Sequence, residues 1–121
     1  MRLVSRYAPP LPLTDLQELE VKNAMRLKHA RGEISDIELQ AAIRDFDADL
    51  RAGKFQHTPL TWAHVYRQAQ NLSAAHTVAT FCRTLDILHV AAALVLCAHD
   101  FVTFDARQAD LAGRAGLAVC Q

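Results

Sequence analysis

Apolar residues recur along this chain with two periods, and the switches between them mark the elements. At about 100° per residue, Leu16, Leu19, Asn23, Leu27 and Ala30 share one face of a predicted helix. Thr14-Asp15-Leu16-Gln17 opens that helix as a capping box, and Gly32 follows as a stop signal. A second box, Ser35-Asp36-Ile37-Glu38, predicts a helix to about Ala52, with Gly53 after it. "KFQHTPL" reads as a short strand or an extended link. Thr61 can cap a third helix to about Ala75, anchored by Trp62, Val65 and Leu72. Arg83 or Thr84 begins an apolar helix through Ala98. "FVTF" (Phe101 to Phe104) is an uninterrupted apolar run between acids, the pattern of a strand buried on both faces. Arg107 to Arg114 predicts a last helix, Gly116 ends it, and "LAVC" predicts a last strand.

Helices alternating with short buried strands predict an α/β fold with a small parallel sheet flanked by helices. At 121 residues the chain is read as a single domain, 1–121. The prolines of "APPLPLT" enforce extended chain. No strand is predicted in the N-terminal section, and three or four short strands make a thin sheet for five or six helices.

Composition then narrows the function classes. Thirteen basic and thirteen acidic residues cancel, so there is no global footprint for nucleic acid and any phosphate-binding surface must be local. The three cysteines show no C-x-x-C spacing, which predicts neither a disulfide framework nor a zinc site and fits a reducing cytoplasm. "MRLVSRYAPP" lacks the apolar core of a signal peptide. The longest apolar stretch, Ile87 to Ala98, contains His89 and is too short for a bilayer, so no membrane role is expected.

Three acids stand where acids are unexpected. Glu20 projects at the edge of the apolar face of the first helix, with Ala24 and not a lysine four residues on. Glu18 lies nearly opposite and has Lys22 at i+4, an ordinary solvated ion pair. Asp86 shares its face with Val90, Ala93 and Cys97, where a charge is costly unless paired or bound to a cation. The alternative is a first-turn acid complementing the helix dipole, with Thr84 as cap. Asp105 directly follows "FVTF", at the strand end where open α/β sheets place their ligands. Yet Asp105-Ala-Arg-Gln108 is also a capping pattern. His89 on its apolar helix reads as a core histidine rather than a ligand. Asp45, Asp47 and Asp49 read as the solvated side of the second helix. If a metal is bound, these residues call for a hard cation held by oxygen ligands, not for zinc.

"EVKNAM" from Glu20, "RTLDILHVAAAL" from Arg83 and "FVTFD" ending at Asp105 together resemble the PIN-domain ribonucleases, especially the VapC-type toxins of bacterial toxin–antitoxin pairs. The resemblance runs from about Leu11 to Leu117. It implies a PIN-like three-layer domain in which acids converge at the carboxyl ends of a parallel sheet and bind Mg²⁺ or Mn²⁺ to hydrolyse RNA. By motif, Glu20, Asp86 and Asp105 would be metal-binding and catalytic acids. Thr103 would orient a carboxylate or a water, and Arg83 would meet an RNA phosphate. The implied partners are the RNA substrate, a cognate antitoxin protein and a second copy in a homodimer, with Trp62 and Tyr66 as apolar residues suited to an interface. The family's first, central strand, which the resemblance flanks with strands carrying "LPLT" and "FVTF", has no counterpart here, nor has its terminal aspartate, and "MRLVSRY" looks like the end of the helix that follows that strand. Two expectations follow: a chain whose start lies upstream, or an inactive PIN remnant that only binds an antitoxin or a homologue.

Overall fold

Local capping chemistry decides where the helices of the N-terminal half begin. In the computed structural model, which describes residues 10–97, 100–102 and 106–120, the Thr14 hydroxyl accepts from Gln17 N at 3.1 Å, and Gln17 Oε1 accepts from Thr14 N at 2.9 Å. Ser35 and Glu38 make the same reciprocal pair at 3.1 and 2.9 Å. Each box satisfies two amides that the first turn leaves without helical partners. They open α1 (Asp15–Ala30) and α2 (Asp36–Arg51). Gly32 and Gly53 follow these helices with φ of +76° and +78°, a region that side chains with a Cβ rarely enter.

The remaining described elements are β1 (Leu11–Leu13), β2 (Phe55–His57), α3 (Trp62–Thr80), α4 (Thr84–Val95), β3 (Asp100–Val102), α5 (Ala106–Arg114) and β4 (Ala118–Cys120). The protein is therefore mixed α/β and mostly helical. Among the described residues the strands pair in parallel, β1 with β2 and β3 with β4. A strand occupies the N-terminal section at Leu11–Leu13, where the prolines predict extended chain and the resemblance implies a strand carrying "LPLT". Leu11 N donates to Lys54 O and Leu13 O accepts from Thr58 N, so both leucines direct their backbone groups at β2. Pro12 then falls on the opposite edge of β1, where its missing N–H costs the ladder nothing.

The chain divides into two compact units, Met1–Pro59 and Leu60–Gln121. In the first, α1 packs on α2 with Phe46 as the buried centre; its ring stacks on Phe55 of β2 at 5.3 Å. Lys22 Nζ lies 5.7 Å from the Phe46 ring centroid and bridges Glu18 at 3.2 Å and Asp47 at 2.8 Å. This arrangement corrects the predicted face of α1. Leu16 of that face is half-buried together with Glu18, Val21, Lys22, Met25 and His29, whereas Leu19 is 63% and Leu27 44% exposed. The aromatic ring and the acid on α2 offer the lysine stem and its charge more than Leu19 and Leu27 gain from burial. Asp47 and Asp49 are likewise paired, Asp49 with Lys54 at 3.1 Å, and only Asp45 of the three is fully exposed.

In the second unit Val65, Leu72, Val90, Ala91, Leu111 and Ala112 belong to one continuous apolar cluster built by α3, α4 and α5. Helix α3 continues five residues beyond the expected Ala75, and Thr80 carries the buried stripe of Val65, Ala69 and Leu72 to its end. Thr80 Oγ1 donates to His76 O at 3.0 Å and accepts from Cys82 N at 3.3 Å, which closes the helix. Phe81 caps it in the left-handed region at φ +57°. Helix α4 ends at Val95 rather than Ala98, since Cys97 turns left-handed at φ +56°. The buried Cys82 thiol donates to Arg107 O on α5 at 3.0 Å, and Cys97 is exposed. Among the described residues no helix is long and apolar enough to cross a membrane.

Candidate functional site

Asp86 is positioned by the start of α4. Arg83, not Thr84, is the N-cap residue, and Arg83 N donates to Asp86 Oδ2 at 3.2 Å. An acid at the third helical position accepting from the cap amide is the back half of a capping box, and it also lies favourably in the dipole of α4. The other oxygen, Oδ1, accepts from Gln108 Nε2 on α5 at 3.5 Å, a long bond. Gln108 is only 7% exposed, so its amide is a fixed donor and not a surface group.

Sequence reading treated Gln108 as a cap for position 105 and assigned it nothing further. Its side chain instead reaches across to α4 and ties the first turn of α5 to Asp86. The available signal was the amphipathic pattern of "ARQADLAGR", which sets Gln108 on the face of Leu111 and Ala112, both buried.

Each predicted position has a distinct outcome. Arg83 and Asp86 are brought together through the Arg83 backbone, while Arg83 as a residue is exposed. Thr103 and Asp105 lie outside the described residues, in sequence between β3 and α5. Glu20 is exposed on α1 and belongs to the other compact unit. His89 is buried at 6% exposure within α4, in keeping with a core histidine. Among the described residues no group of three or more His, Cys, Asp or Glu side chains could hold a metal ion.

Asp86 suits a hard cation in its chemistry. It is a half-buried carboxylate, its two described partners are neutral amide donors, and each oxygen keeps acceptor capacity beyond those single bonds. Among the described residues no lysine or arginine forms an ion pair with it.

Elsewhere in this unit, α3 and α4 line an open groove of about 260 Å³ with Tyr66, Ala69, Gln70, Ser73, Thr84, Ile87 and Leu88. Tyr66 also meets Trp62, with ring centroids 5.9 Å apart and planes tilted by 39°. No protein-family model matches the chain, and neither the curated proteins nor the solved structures give a match.

Proposed function

We propose that the chain is a PIN-like, VapC-type endoribonuclease domain that uses Mg²⁺ or Mn²⁺ to hydrolyse RNA phosphodiester bonds. The observation that carries the reading is the Asp86–Gln108 bond. It ties Asp86 in the first turn of α4 to Gln108 in the first turn of α5, three residues beyond Asp105 in sequence. Parallel strand pairing within a mostly helical α/β chain agrees with such a domain.

In this reading Glu20, Asp86 and Asp105 hold the cation, Thr103 orients one of their carboxylates or a water, and Arg83 meets the substrate phosphate. A bound divalent ion would polarise the phosphodiester and lower the pKa of an attacking water. The chain's own contribution is to fix the Asp86 carboxylate by two amide donors, so that it presents its remaining lone pairs without rotating. The three-layer sheet, a cognate antitoxin and a homodimer belong to the same proposal.

The hydrogen bond from Arg83 N favours a second reading, in which Asp86 is a cap and the domain only binds a protein partner. Asp86→Asn separates the two, because asparagine keeps an oxygen for the cap and loses the charge. On the ribonuclease reading this variant melts near the parent temperature and its Mg²⁺-dependent cleavage of single-stranded RNA falls to background. Cleavage at the parent rate would refute the metal role of Asp86 and leave the cap.

A further inference from the structure

Asp47, Asp49 and Asp110 each meet a lysine or an arginine, at 2.8, 3.1 and 2.9 Å, whereas the described side-chain partner of Asp86 is the amide of Gln108. We infer that Gln108 is a positioning residue for a divalent cation at Asp86: its amide aims the carboxylate and leaves the negative charge to the ion. The presence of a cation rests on the proposed function; the aiming rests on the geometry.

Burial makes the choice of glutamine informative. Gln108 is buried on the same face of α5 as Leu111 and Ala112. An apolar side chain of equal length would fill that place with no amide to desolvate. Nor does α5 need the bond in order to dock. Its apolar face enters the cluster shared with α3 and α4, and the Cys82 thiol holds the neighbouring Arg107 carbonyl at 3.0 Å. What the amide adds is direction. Arg83 N holds Asp86 Oδ2 and by itself would let the carboxylate swing about that oxygen. A second donor on Oδ1, carried by a different helix, sets the plane of the group.

Charge separates this role from an ordinary ion pair. A lysine or arginine at position 108 would hold Asp86 more firmly, but it would also cancel the charge that a hard cation needs. A carboxylate there would itself become a ligand. The neutral donor orients without competing. At 3.5 Å its bond is long, and Oδ1 keeps a lone pair for the ion.

The experiment titrates the full chain with Mn²⁺ alone, without RNA, and follows the free ion by electron paramagnetic resonance. Saturable binding is expected for the parent, and Asp86→Asn should remove it. Gln108→Met keeps the length of the side chain and its packing. It should melt in EDTA at or above the parent temperature and weaken Mn²⁺ binding about 10- to 100-fold, a combination that a purely structural residue would not give. A second measurement needs no variant to fold. In the parent, added Mg²⁺ should shift the side-chain amide signals of Gln108 in NMR spectra with the same half-saturation as the backbone signal of Asp86. Mn²⁺ binding by Gln108→Met within about twofold of the parent would overturn the positioning role and leave the ribonuclease reading standing. So would Gln108 amide signals that stay fixed while that of Asp86 moves. A parent that binds no Mn²⁺ refutes the ribonuclease reading itself, and the role of Gln108 with it.

Discussion

Phe46 and Leu111 are both about 1% exposed, yet they sit in different company. Leu111 is one of many buried apolar side chains in a cluster shared by α3, α4 and α5. Around Phe46 the first unit offers one stacked ring, one lysine stem and few other buried side chains; α1 contributes no buried residue at all. Two helical hairpins of similar length are thus held by different means. One relies on contiguous apolar burial, the other on caps, a bridging lysine and a single aromatic anchor. Where apolar area is scarce, local hydrogen bonds and ion pairs must specify the geometry.

The sharpest way to break this contrast is to remove the anchors. Phe46→Ala should destabilise the chain by about 3–5 kcal/mol, and Leu111→Ala by about 2–5 kcal/mol, in urea unfolding. A Phe46→Ala cost under about 1 kcal/mol would mean that the first unit has no real centre. Caps give the next effect. Thr14→Ala should cost about 1 kcal/mol, because Thr14 accepts from Gln17 N, whereas Thr61→Ala should cost a few tenths at most, because Thr61 makes no side-chain cap bond. Equal losses of melting temperature in the two variants would cancel the distinction.

The smallest effect is the most diagnostic in pH. Hydrogen bonds to Asp47 first, and to Glu18 next, raise the Lys22 ammonium above its ordinary 10.5. The folded value exceeds the unfolded one, so this contribution is complete below 10.5 and fades as pH climbs through the raised value. Lys22→Met should therefore cost no more than about 1 kcal/mol near neutrality, and the difference from the parent should vanish in strong alkali. Glu38 behaves oppositely. The Ser35 backbone amide, then its hydroxyl, hold the Glu38 carboxyl below 4.5, so its contribution is present above 4.5 and lost as pH falls through the lowered value.

The elements that announced themselves in the sequence are those governed by neighbours three or four residues away. Both reciprocal capping boxes and the glycines after α1 and α2 are local events. What stayed illegible depends on partners distant in sequence. The buried side of α1 is set by Phe46 and Asp47 of α2, and no periodicity within α1 reveals that a lysine will displace Leu19. The same holds for Asp86. Its cap bond is local and was foreseen as an alternative, with the wrong cap residue; its tie to Gln108, 22 residues on, was not. The strand pairings are equally non-local, since each joins segments separated by at least one whole helix.

Cys82 carries a consequence of its place in the α3–α4 link, tied to α5. Its thiol is shut in and engaged with the Arg107 carbonyl, while the Cys97 thiol faces water. An alkylating reagent would modify Cys97 at the pace of simple encounter, and Cys82 only in the moments when α5 releases it. The larger apolar cluster thus comes with its own chemical stopwatch: with Cys120→Ser removing the third thiol, the lag between the two remaining modifications, followed by mass, times how often that cluster opens.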